Sequence, residues 1–230
     1  MNVLAYFLYP LLWFGLDMVE PRNKDDETQN IQKRHRNYLS AINSWMSILF
    51  GLIYCYTGFE WSYEFVWQCS TGYFIWDTYM MILLSIRGSG LFIYHHMVSL
   101  MFLHWMGLGT NYETEGMLTY IVGELSNLPY YYVYELIHQE SVEKENHSTK
   151  IIRWKTIQTI WFSFWRCIVM SYSIPTMWNV VDNSLLRIHA LILHGMGMYW
   201  SYVLMVKLVL RPNFRTTMWD TIDYIRNILL

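Results

Sequence analysis

Two histidines, His95 and His96, stand side by side inside residues 91–109, a run that is otherwise strongly apolar. A neutral imidazole titrates near physiological pH and serves as base or nucleophile, so the pair is the sharpest candidate for proton or acyl transfer. Successive residues of a helix point about 100° apart, so one ring can line a cavity while the other bonds a neighbouring helix. Ser99, four residues after His95, falls on the same face as His95. The plainer reading is a pair of packing histidines bonded to backbone, Ser or Asn partners.

The acid best placed to serve them is Glu124, in Gly123-Glu124-Leu125-Ser126-Asn127-Leu128-Pro129. Glu124, Asn127 and Tyr131 follow i, i+3, i+7 spacing and form one polar stripe. Pro129 has no N–H and clashes with the preceding turn, which frees the carbonyl of Leu125 and bends the helix. Freed backbone groups at membrane depth need protein partners or a polar cavity, so a pocket beside a carboxylate is expected here. The alternative is a structural Glu-Asn pair that holds two helices together.

Asp77 and Arg166 are single charges in apolar stretches, expected to pair with each other or with Glu124. His104 and His194 read as packing histidines. The eight histidines, at 35, 95, 96, 104, 138, 147, 189 and 194, contain neither the HxxxH nor the HxxHH spacing of a di-iron desaturase or hydroxylase. Cys55, Cys69 and Cys167 lack CxxC spacing and read as core filler, so no metal site and no cofactor motif is expected.

Elements that could position these side chains follow from composition. Of the residues, 54% are hydrophobic and 15% charged, against about 25% charged in an average soluble domain. Lipid is therefore the expected solvent. A net charge of -2 argues against a nucleic-acid partner, which would need clustered surplus Lys and Arg. Apolar runs bounded by charge fall near 3–19, 41–59, 64–85, 91–109, 116–137, 157–181 and 188–210. The fold expected is all-α, a polytopic transmembrane helix bundle of about seven spans, or six if 3–19 is not a retained span. That first run has no basic n-region and no small-residue cleavage site, and reads as a signal anchor or first span.

Lys and Arg orient the bundle. Fourteen lie in loops 20–40, 86–90 and 138–156 and at the C-terminal end, and only Arg187 lies on the other side. The C-terminus is thus expected in the cytosol. Asn146-His147-Ser148 is an acceptor sequon that this orientation keeps away from the glycosylation machinery. Polar segments 20–38 and 138–150 read as solvated loops, and no internal repeat or low-complexity tract appears.

Several motifs in order resemble the TLC-domain family, the group of ceramide synthases, translocon-associated membrane proteins and TLC-domain-containing lipid regulators. They are Arg36-Asn37-Tyr38-Leu39-Ser40-Ala41-Ile42, Ser70-Thr71-Gly72-Tyr73-Phe74-Ile75-Trp76-Asp77, His95-His96 and Glu124-Leu125-Ser126-Asn127-Leu128-Pro129. An aromatic span with Arg166 and a last span with Met198-Tyr199-Trp200 before Lys207 complete the order. Asn43 stands where many members have histidine, and Glu124 and Asn127 stand where ceramide synthases have two aspartates. No homeodomain-like segment is present, so the chain is more similar to the non-synthase branch.

The resemblance implies an N-terminal span and cytosolic loop over 1–30, a TLC-like transmembrane domain over 31–212 and a cytosolic tail over 213–230. It implies membrane lipids as partners, a role in sphingolipid or phospholipid metabolism or homeostasis, and the endoplasmic reticulum or another endomembrane as the membrane. His95, His96 and Glu124 would be the catalytic candidates, and Asp77, Ser99, Ser126, Asn127 and Arg166 the lipid-binding ones. If the chain is an enzyme, the resemblance implies an acyltransferase with acyl-CoA as co-substrate and one of the histidines as base or nucleophile. A transporter is the lesser alternative, since a kinked helix with buried charge also suits a substrate path.

Overall fold

A computed structural model describes residues 5–19, 29–83, 89–107, 113–139, 148–180, 183–210 and 226. Its elements are all helices, and no strand occurs among the described residues. They are α1 (Ala5–Val19), α2 (Gln29–Thr57), α3 (Glu60–Leu83), α4 (Gly90–Met106), α5 (Glu113–Gln139), α6 (Ser148–Ser163), α7 (Met170–Val180) and α8 (Ser184–Val209). A π-helical segment, Phe164–Val169, joins α6 to α7 without a break.

Six of these units close into a ring. In order around it, α2 packs on α5, α5 on α6, α6 on α8, α8 on α4, α4 on α3, and α3 back on α2. Contacts between α2 and α5 run antiparallel along both helices. Arg34 meets Glu135 at 2.7 Å, Asn37 donates to the Tyr131 carbonyl at 3.3 Å, and Tyr54 donates to Glu113 at 3.1 Å. A Cβ on Gly51 would lie 2.9 Å from Ile121, so glycine here sets the approach of the two helices.

Outside the ring, α1 lies against α3. Trp13 is fully buried and donates its indole N–H to the Cys69 carbonyl at 3.0 Å. Below it, Gly72 receives the backbone of Tyr9 and Pro10: a Cβ at 72 would sit 2.6 Å from the Tyr9 carbonyl carbon.

Polar side chains are buried beside an apolar core, and many large apolar side chains are exposed. Asn43, Ser44, Ser47, Ser70, Asp77, Glu124 and Arg166 are buried, whereas Leu11, Leu49, Ile82, Met101, Ile168 and Met205 are exposed. Exposed apolar side chains on this scale mark contact with partner or lipid. By length and composition, Arg34–Thr57 and Ser184–Val209 are each long and apolar enough to cross a membrane. α1 and α4, with 15 and 17 residues, are shorter than the roughly 20 that a straight span uses.

Two expectations from the sequence need correction. Residues 29–40 are helical rather than solvated loop, and α6 begins at Ser148 rather than near 157. For α2 the reason lies in its charges: Arg34 pairs with Glu135, His35 with Asp17 at 2.9 Å, and Arg36 with Asp77. Charge that finds partners extends the helix instead of ending it. Arg22, Lys24, Arg87, Lys144, the sequon residues Asn146 and His147 and, Arg226 apart, the tail 213–230 lie outside the described residues.

Candidate functional site

Enclosed by the ring is a cavity of about 550 Å³, within the about 300–1,000 Å³ of small-molecule sites. Every helix of the ring lines it, and α1 does not. Its lining runs from Arg36, Ser89 and Lys207, at helix ends gathered on one side, to Phe102, Thr119, Ile174 and Ala190 deep between the helices. At 1.5 Å per residue, Ala190 to Lys207 along α8 spans roughly 25 Å.

Of the residues singled out from sequence, His95, His96, Glu124, Asp77, Ser99, Asn127 and Arg166 all line this cavity. Three helices, α3, α4 and α5, and the π segment thus bring seven scattered side chains to one place. Ser126 does not: it is fully buried and accepts a hydrogen bond from Arg166 Nε at 2.8 Å, so it holds the arginine. Asn43 is buried outside the lining, so a histidine at that position would not face this cavity.

Asp77 binds neither Arg166 nor Glu124. Its Oδ1 accepts from Arg36 Nε at 2.5 Å, and its Oδ2 lies 3.6 Å from His96 Nδ1, which is also 3.3 Å from Thr78 Oγ1. Arg36 is the site residue that sequence reading placed in a loop. The helical spacing of Arg36, Ser40, Ser44 and Ser47 on one face was the signal that could have found it. Ser40 meets the Tyr73 hydroxyl at 2.5 Å, Ser44 donates to Glu124 and lies 2.9 Å from the Tyr131 hydroxyl, and Ser47 is 3.1 Å from Ser70. This stripe carries the polar contacts of α2 onto α3 and α5.

Arg166 lies in the π-helical segment, a distortion that often marks functional sites because it re-aims a side chain. Its stem rests on Gly197 of α8, where a Cβ would come within 2.9 Å of Arg166 Cδ. Its guanidinium crosses to α5, donating from Nε to Ser126 and from Nη2 to the Gly123 carbonyl at 3.1 Å. Phe162 covers it from 5.5 Å. No ion pair within 4 Å joins Arg166 to Glu124 among the described residues, so the two charges face one cavity without neutralising each other directly.

The two histidines have different surroundings. His96 is held toward Asp77 and Thr78 on α3, whereas His95 sits edge-on to Trp200 with ring centroids 5.1 Å apart. His95 Nδ1 is buried without a hydrogen-bond partner. A buried imidazole nitrogen left open on a cavity wall is suited to a ligand oxygen or proton. His104 and His194 are bonded packing residues, to Tyr6 at 2.8 Å and to Ser171 at 3.1 Å.

Among the described residues, fold and site define an all-helical architecture with a cavity between the helices whose charged groups sit on separate elements. No family model, no curated protein and no solved structure matches the chain.

Proposed function

We propose that the chain is a multi-pass membrane protein of the TLC-domain type that holds a lipid or acyl chain inside its helical ring and acts in membrane lipid metabolism or homeostasis. One observation carries this reading: a roughly 25 Å cavity, polar at one end and apolar at the other, inside helices whose outer surfaces are apolar. Such a surface favours lipid outside, and such a cavity favours an amphiphile inside. The seven apolar units and the fourteen-to-one bias of Lys and Arg support about seven spans with the C-terminus in the cytosol.

A second reading, an acyltransferase, rests on His95, which lines the cavity and whose Nδ1 is buried without a hydrogen-bond partner. Here His95 acts as base or nucleophile, while Asp77 orients His96 through its 3.6 Å approach.

Lipidomics of cells expressing the wild type or the His95→Ala/His96→Ala variant separates the two. The lipid-holding reading expects the profile shift to follow the lipid that each purified protein retains. Reversion of the double variant to the empty-cell profile, with normal protein levels and lipid retained as in the wild type, decides for catalysis. A wild type that leaves the profile unchanged counts against both.

A further inference from the structure

We infer that the closed end of the cavity is a chain-length ruler: Arg166 and His95 receive the carbonyl or carboxylate oxygen of a lipid, and the apolar pocket beyond them admits a medium acyl chain. This deepens the lipid-holding reading and rests on it.

The direction of the ligand follows from the polarity of the walls. On the side of the helix ends, the lining carries Arg36, Asp77, Tyr134 and Lys207; at the other end it carries Phe102, Met170, Ile174, Ala190 and Leu193. A polar head therefore belongs toward the charged mouth and the chain toward the apolar end.

Between the halves stands the belt of His95, Glu124 and Arg166. His95 Nδ1 has no partner, and Arg166 commits Nε and Nη2 to α5, with no hydrogen bond from Nη1 among the described residues. Both residues carry N–H donors and both line the cavity, which suits a ligand's acceptor oxygen such as that of a carbonyl or carboxylate.

The far end is shut by packing. Leu103, Met106, Met117 and Leu186 lie beyond the lining and are all buried, none more than 5% exposed. From Gly197, which backs the Arg166 stem, to Ala190 at the cavity end, α8 rises roughly 10 Å at 1.5 Å per residue. Carbon–carbon bonds of about 1.5 Å at ordinary angles advance an extended chain by about 1.25 Å per carbon, so about eight carbons fit. A palmitoyl chain, roughly twice that length, would have to displace the plug.

The test uses the full-length protein purified in detergent, with radiolabelled octanoic acid as probe and saturated fatty acids from hexanoate to stearate as competitors. Affinity is expected to rise about fourfold per methylene up to octanoate or decanoate, then to fall, with palmitate at least about tenfold weaker than the best competitor. Ala190→Phe is expected to move the optimum to shorter chains and Leu193→Ala to longer ones, so the ruler stays testable if either variant fails to fold. Equal competition by octanoate and palmitate, or an optimum that neither variant moves, overturns the ruler and leaves the lipid cavity standing. Absence of octanoate binding also overturns it, and whether the lipid-holding reading falls as well is read separately from the lipid that the purified wild type retains.

Discussion

The indole N–H of Trp161 on α6 donates to the backbone carbonyl of Leu125 on α5 at 2.7 Å. That carbonyl lies four residues before Pro129, whose missing N–H leaves it without a helical donor. A neighbouring helix thus satisfies the group that the proline leaves without a donor.

Trp161→Phe should lower thermal stability in detergent by about 1 kcal/mol, the net worth of a typical hydrogen bond. Adding Pro129→Ala restores a backbone donor to Leu125, so the double variant should lose less than Trp161→Phe alone. Additive losses in this double-mutant cycle would mean that the two residues do not share the carbonyl.

Arg36→Ala should be strongly destabilising, by about 3–5 kcal/mol, because it leaves the Asp77 carboxylate buried and unpaired. Arg36→Met with Asp77→Leu should cost less than Arg36→Ala, since an apolar pair leaves no orphaned charge. Melting curves of the three proteins decide it: a double variant less stable than the single one contradicts the pairing.

Gly72→Val should detach α1 from the ring. Even a Cβ at 72 meets Tyr9 Cβ at 2.5 Å, and overpacking of this kind costs about 1–3 kcal/mol. A cysteine pair that cross-links α1 to α3 in the wild-type background should fail to form in the variant. Unchanged cross-linking would mean that α1 does not dock at Gly72.

The proposed orientation makes a prediction about glycan acceptance. An Asn-x-Thr sequon engineered into residues 110–115 should be glycosylated in mammalian membranes, and the native sequon at Asn146 should not. Modification at Asn146 would invert the bundle.

Much of the site was legible because ionisable side chains inside apolar runs are conspicuous. His95, His96, Glu124, Asp77 and Arg166 interrupt apolar runs, and all of them line one cavity. The partners were less legible. Asp77 takes Arg36, 41 residues away, because α2 starts at Gln29, and a charged stretch read locally looks like solvated loop. Ser126 looked like a wall residue, but the π-helical segment turns Arg166 onto it, and no local pattern announces that insertion. The closed ring itself depends on which helices pack together, a non-local fact that periodicity does not carry.

The enclosed cavity as the seat of a lipid is tested most directly by native mass spectrometry of the purified wild type, a cavity-filling Ser99→Phe variant and an outward-facing Met97→Phe control. Ser99 lines the cavity and is buried, whereas Met97 is exposed on the same helix. The wild type and Met97→Phe should each release one bound lipid on activation, and Ser99→Phe, with unchanged helical content, should release none. Equal lipid retention by all three proteins, or none by the wild type, would contradict the account.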